Sequence, residues 1–429
     1  MGLRYFIIKL CMKTKKFFIA VLATLLSVSA FAQDTKPQFK WYGFIRNYFT
    51  FDTRESVAGT EDFFYYVPKD EKIVSGDDLN AVNSFRFAAL TSRLGLDVTG
   101  YEYNGLKIAA KIEGDFYAGV SGVTGTATFR LRQAYATISK DSWSLKAGQA
   151  WHPMAADMPD VFSLNTGSPF GPFSRTPEMV FDYKASDSFS LTAAAIWQMQ
   201  YVSAGPEGAS ANYIKYGCTP EFYFGLNFTK DNFIARAGVD VLSIKPRRFN
   251  ATGTSRVDDR ITTVSPFIYL QYKSGDFSVK AKSIFAQGGE HMNLNGGYGV
   301  TKDSNLLGEW NYDATRNSST WVSLAYGKKV QGILFGGYVK NFGTDKELIG
   351  TSSDYFFFSK NSFSNMNSMF RVTPSVIWNL GKLALGLEYE VTGIQYGSWD
   401  KSKPCYGLAT SNLHWVVNNR IQGMFKYTF

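Results

Sequence analysis

Cysteine is scarce in this chain, at three residues in 429, and proline (13) and histidine (3) are nearly so. His152, His291 and His414 lie in separate connections, each without an evident Ser or Asp partner, so the sequence shows no hydrolase constellation. Dispersed histidines and the widely separated Cys218 and Cys405 give no zinc-ligand spacing, and spacing alone does not fix whether those cysteines pair. Long apolar runs are missing too. After the first thirty residues no stretch approaches the roughly 20 needed for a spanning helix. Excess charge of one sign is largely an amino-terminal effect: five of the 45 basic residues lie in residues 1–32, leaving 40 against 36 acids, a net +4. Nucleic-acid binding thereby loses its main support.

What is present is aromatic and glycine-rich, with 16% Phe, Trp and Tyr and 39 glycines, a composition suited to strands and turns. Lys13, Lys15 and Lys16 precede the apolar run Phe17 to Leu26, and Ala30-Phe31-Ala32 supplies small residues for cleavage. We read residues 1–32 as a Sec signal peptide cut after Ala32, with Met1 or Met12 as the start. Residues 33–429 are then a single exported domain. A mean hydropathy of -0.16 does not argue against a membrane location, because a barrel hides its lipid face in every second residue.

Four segments begin with a polar turn and continue with an aromatic that opens an alternating strand. Their aromatics are Trp143, Phe189, Phe233 and Phe277, spaced 46, 44 and 44 residues apart. Short turns also fall at Asn104-Gly105, Gly327 to Val330 and Gly381-Lys382. Between them lie eight long polar connections: Arg54 to Val82, Gly119 to Ala127, Trp151 to Pro177, Tyr201 to Cys218, Ile244 to Thr262, Gln287 to Thr315, Phe342 to Asn367, and Gly393 to Trp415. Eight long and seven short connections predict sixteen antiparallel strands, with both termini on the periplasmic side. A period near 45 residues also suits propeller blades, but the blade motifs are missing and only two strands fit each interval.

The faces point the same way. In Leu106 to Tyr117, Leu106, Ile108, Ala110, Ile112 and Phe116 oppose Lys107, Lys111, Glu113 and Asp115. In Leu383 to Thr392, Leu385, Leu387 and Tyr389 oppose Glu388 and Glu390. A filled core would not hold such charges unpaired, although a soluble sandwich with a solvated face has the same period. The last strand, Val417 to Phe429, puts Val417, Ile421, Phe425, Tyr427 and Phe429 on one side and Asn418, Arg420, Gln422 and Lys426 on the other. An aromatic strand ending in Phe resembles the closing strand of Gram-negative outer-membrane barrels, where it is the address read by the barrel assembly machinery. We therefore predict an all-β, up-and-down transmembrane barrel with short periplasmic turns and long extracellular loops.

Further residues carry a closer resemblance. Trp41-Tyr42-Gly43-Phe44-Ile45-Arg46, Ser92-Arg93-Leu94-Gly95-Leu96, Arg130-Leu131-Arg132-Gln133-Ala134-Tyr135-Ala136 and Leu145-Lys146-Ala147-Gly148-Gln149 are similar to the opening strands of DcaP-like porins, and Phe370-Arg371-Val372-Thr373-Pro374 extends the likeness. The resemblance implies a homotrimeric channel for small, often anionic solutes, set in outer-membrane lipid and lipopolysaccharide. The long amino-terminal coiled coil of some family members is not expected here, since only Gln33 to Lys40 lie between the predicted cleavage site and strand one. A plug of the TonB-dependent kind is likewise not expected.

Sixteen strands enclose an aqueous channel, so function should reside in whatever narrows it. The segment expected to do so is Trp151 to Pro177, which occupies the slot of the inward-folded third loop of trimeric porins. Its Asp157 and Asp160 are expected to face a wall of Arg46, Arg93, Arg130 and Arg132, creating a transverse field. A loop lying outside would leave these arginines solvated or paired with Asp97, Glu113 and Asp115. Lys111, Lys146, Arg236, Lys280, Lys282, Arg371, Arg420 and Lys426 also point inward and outnumber the inward Glu113, Asp115, Asp240, Glu388 and Glu390, which predicts mild anion preference. The rivals are a surface adhesin and an outer-membrane hydrolase. No cofactor is expected; the adjacent acids Asp258 and Asp259 are a candidate for structural calcium, although such pairs are more often solvated.

Overall fold

The computed structural model describes residues 36–119, 126–358 and 365–429. The signal-peptide reading, and parts of the second and seventh long connections, lie outside the described residues. One antiparallel sheet closes on itself. Its strands are β1 (Gln38–Asp52), β2 (Ser84–Ala88 continuing as Arg93–Tyr103), β3 (Leu106–Phe116), β4 (Phe129–Lys140), β5 (Trp143–Trp151), β6 (Arg175–Lys184), β7 (Phe189–Ile196) and β8 (Glu221–Lys230). The second half comprises β9 (Phe233–Ile244), β10 (Ile261–Ser274), β11 (Phe277–Gln287), β12 (Arg316–Tyr326), β13 (Val330–Gly343), β14 (Met366–Leu380), β15 (Leu383–Ser398) and β16 (Ser411–Thr428). Both segments of β2 pair with β1, which makes them one strand and the barrel sixteen-stranded.

Closure runs from Phe44↔Thr428 to Asp52↔Arg420. At this seam the Phe429 amide donates to Gly43 O (3.1 Å), and its ring lies over Gly43. A Cβ at Gly43 would fall 2.5 Å from Arg93 O and 2.6 Å from the Phe429 ring, so only glycine fits this approach.

All seven predicted short turns connect strands. Trp143, Phe189, Phe233 and Phe277 are each the first residue of their strand. Asn104, Asp141 and Asp231 hold the left-handed φ near +50° that two-residue hairpin turns require, and Asx side chains tolerate it. The faces divide as their period dictates. Val417, Ile421, Phe425 and Tyr427 are exposed on the outside, whereas Asn418, Arg420 and Gln422 are buried inside. On β15, Leu385, Leu387 and Tyr389 face out and Glu388 and Glu390 face in. This is the inverse of a water-soluble protein, and it gives the sheet an apolar exterior suited to lipid.

The widest boundary difference from prediction is in the last long connection. The connection expected from Gly393 to Trp415 contracts to residues 399–410, because β15 and β16 stay paired as far as Ser398↔Ser411. The extension is held from within: Tyr396 Oη donates to Pro68 O (2.6 Å), in the first long loop.

Candidate functional site

The third loop, residues 152–174, folds into the barrel and traces a wide bend. It first crosses to β9, β11 and β12. There Arg236 pairs with Asp157, Lys280 with Asp160 (2.6 Å), and the Lys282 ammonium donates to Met154 O (2.7 Å) and Asp157 O (2.8 Å). The Asp160 amide donates to Ser323 Oγ (2.9 Å). The loop then reaches β1, where Tyr48 Oη donates to Phe162 O (2.7 Å). It returns past β14 and β13: Arg371 donates to Ser168 O (2.8 Å), and Phe170 packs edge-on against Phe335. Its last turn is fixed by the Phe173 amide donating to Met292 O (2.8 Å).

The first long loop also turns inward, which sequence reasoning missed. Phe63-Phe64-Tyr65-Tyr66-Val67 is buried throughout. Arg371 donates to Tyr66 O (3.0 Å), and Arg420 donates to Asp62 O (2.8 Å) while holding Asp52 through two bonds of 2.9 Å. Arg371 and Arg420 therefore point inward but are covered by the loops they clamp, rather than lining open space. The available signal was an apolar run inside an otherwise polar connection, since such a run seeks cover wherever the loop can reach it. Burial within this loop pushes the Tyr66 phenol up to about 12.

The arginine wall stands on β1 to β4, but its partners are not the loop acids. Arg130 holds Asp115 through two bonds of 3.0 Å. Arg132 bridges Glu113 (2.8 Å) and Asp115 (2.9 Å), and Arg93 lies 3.6 Å from Glu113. Lys111 pairs with Asp97 at 2.5 Å. The Arg46 guanidinium bonds the Thr91 hydroxyl (2.6 and 3.1 Å) and rests against the Phe44 and Tyr48 rings. Because the loop crosses the whole lumen before bending back, Asp157 and Asp160 meet Arg236 and Lys280 on the far side. The expected field between loop acids and arginines is replaced by an arginine wall facing the apolar edge of the loop.

Two cavities lie along this wall. One, of about 410 Å³ on the short-turn side, is lined by Arg46, Arg93, Arg132 and Lys426 opposite Met158, Val161, Phe162 and Leu164. Among the described residues its lining includes four cations and no carboxylate. The other, of about 450 Å³ on the long-loop side, is lined by Arg130, Arg175, Tyr66, Tyr201 and Glu290. Burial raises the Glu290 carboxyl above the usual carboxylate range. Trp151 stands between the two groups of arginines, with the Arg175 guanidinium 4.7 Å and the Arg132 guanidinium 5.8 Å from its ring. Arg175 was not singled out from sequence; it opens β6 directly after the third loop, and that adjacency was the signal.

The remaining candidates separate. Asp258 pairs with Lys245 (2.6 Å) and Asp259 with Arg247 (3.0 Å), so the adjacent acids turn to different cations rather than to a shared one. Cys218 is exposed, Cys405 is buried, and both are free thiols. His414 bonds Asp70 (2.7 Å), whereas His152 and His291, 139 residues apart, meet at one pair of carboxylates, Glu221 and Asp240.

No protein-family model and no curated protein sequence matches the chain. Solved structures do. The outer membrane channel DcaP of Acinetobacter baumannii superposes with a TM-score of 0.66 at 19% identity, over 94% of this chain and 100% of that one. An anion-selective porin from Comamonas acidovorans gives 0.54 at 12% identity, over 92% and 100%. OmpT of Vibrio cholerae, in a trimer form, gives 0.51 at 13% identity, over 92% and 99%. At these identities the likeness is one of fold, and the chain has the barrel architecture of Gram-negative outer-membrane porins.

Proposed function

We propose that this porin-fold barrel is a passive diffusion channel of the outer membrane for small hydrophilic solutes, mildly selective for anions and limited in size by its third loop. One observation carries the reading: the short-turn-side cavity sets Arg46, Arg93, Arg132 and Lys426 against an apolar loop edge, with no carboxylate in its lining among the described residues. Glu113 and Asp115, the acids beside these arginines, are buried and held by them, and Glu388 is buried as well, so the accessible charge is positive. The similar structures include an outer membrane channel and an anion-selective porin, which fits this reading.

The chain would be exported by residues 1–32, recognised by the assembly machinery through the strand ending at Phe429, and inserted as a homotrimer among outer-membrane lipid and lipopolysaccharide with both termini periplasmic. A channel needs no catalytic residue, and no enzymatic activity is assigned. Purified protein in a planar bilayer under a salt gradient tests the proposal. Stepwise conductance with an anion-side reversal potential supports it. Absence of conductance points to a surface-binding barrel, and cation selectivity overturns the assignment of the wall.

A further inference from the structure

Glu221 at the start of β8 and Asp240 on β9 are both buried, and no Lys or Arg among the described residues pairs with either. Two buried carboxylates without a fixed cation are costly unless something positive or protic sits between them. What surrounds them is two imidazoles, from His152 at the base of the third loop and His291 in the 3-10 turn Glu290–Met292. The β8–β9 hairpin brings the two acids near each other, whereas nothing in the sequence places the two histidines, from separate loops, beside them.

The two histidines are not equivalent. The Met154 amide donates to His152 Nδ1 (3.1 Å), so Nε2 carries the hydrogen that bonds Glu221 Oε1 at 2.7 Å. His152 is thereby satisfied on both nitrogens. His291 is 3% exposed, and neither of its ring nitrogens has a hydrogen-bond partner; the same holds for both oxygens of Asp240 and for Glu221 Oε2. His291 Nε2 lies 3.4 Å from Glu221 Oε1 and 3.7 Å from Asp240 Oδ2. Charged hydrogen bonds would be about 0.6 Å shorter. Ligand atoms about 2.0 to 2.1 Å from a tetrahedral ion are separated by about 3.3 Å; His291 Nε2 lies near that spacing from both acids, and the ligand atoms of His152, Glu221 and Asp240 all lie within 4.8 Å of one another.

We propose that Glu221, Asp240 and His291 form a buried site for a divalent transition metal of the zinc class, with His152 as a positioning residue that orients Glu221. One divalent ion with a neutral imidazole would balance both carboxylates, and this nitrogen and oxygen donor set suits zinc or cobalt better than calcium. The His152 bond to Glu221 has the form of the outer-shell contacts that orient metal ligands. The ion would tie two loops to the barrel wall. His291 adjoins Met292 and Asn293, which bond Phe173 N and Ser168 Oγ of the third loop, while His152 begins that loop. The site is thus a staple that fixes the loop where it leaves β5 and where it returns to β6.

The test uses the full-length, detergent-purified barrel, stripped with chelator and titrated at neutral pH with Zn2+ and, for its ligand-field absorption, with Co2+. Wild type should bind about one ion per chain with a tetrahedral-type cobalt spectrum. His291→Ala and Asp240→Asn should abolish binding, His152→Ala should weaken it roughly 10- to 100-fold, and His414→Ala should leave it unchanged. These readouts stand apart from conductance, so a barrel that binds metal without conducting supports the site and not the channel. Wild type that gives no stoichiometric binding and no cobalt band overturns the proposal, as does binding undiminished in folded Asp240→Asn or His291→Ala. If both variants misfold, the wild-type titration decides alone.

Discussion

Arg46→Gln isolates the contribution of a single lumen cation. Among the described residues Arg46 forms no ion pair, and its polar partner is the Thr91 hydroxyl, which glutamine can still reach. Removing the charge therefore orphans no carboxylate, unlike Arg132→Gln, which would strip partners from Glu113 and Asp115. A monovalent ion passing about 6 Å from the guanidinium in water-like surroundings gains or loses about 0.7 kcal/mol. Anions gain and cations lose by the same amount, so the unscreened anion-to-cation ratio changes roughly tenfold. With a Debye length of about 10 Å at 0.1 M salt, a little over half of each term survives and the ratio should fall about fourfold in the variant. The assay is the bilayer reversal potential under a salt gradient at two ionic strengths, with single-channel conductance to show that the pore is intact. An unchanged reversal potential at low salt, with wild-type conductance, would refute the view that this wall sets selectivity.

Other perturbations test how the lumen is held. Arg371→Ala removes donors to Ser168 O, Tyr66 O and Thr392 and leaves Glu390 buried beside a gap; it should cost about 3 to 5 kcal/mol and expose the first and third loops to limited proteolysis. A cleavage pattern identical to wild type would count against the clamp. Gly43→Val forces a side chain into Arg93 O and the Phe429 ring, so the closing seam should lose about 1 to 3 kcal/mol and the heat-modifiable folded band should weaken on gels. Cys218, exposed, should react with a maleimide in the native barrel, whereas buried Cys405 should react only after unfolding. Equal labelling of both would contradict the packing around Leu348 and Cys405.

The strand count, the seven short turns and the face of nearly every spanning residue were legible in the sequence. Each depends on a pattern only a few residues long, and a period of two leaves no intermediate choice of face. Val417, Ile421 and Phe425 had to share a side whatever the rest of the molecule did. The paths of the long loops were a different matter. Asp157 and Asp160 were identifiable as loop acids, but their partners Arg236 and Lys280 follow from how far residues 152–174 travel across a cavity whose width is set by the closed sheet. Phe63 to Val67 dock on Arg371 and Arg420, more than 300 residues away, and His152 meets His291 only because β8 and β9 bring Glu221 and Asp240 beneath both. Local periodicity fixes what a strand shows to lipid and to water. Which charges then meet inside depends on distances that exist only once the barrel has closed.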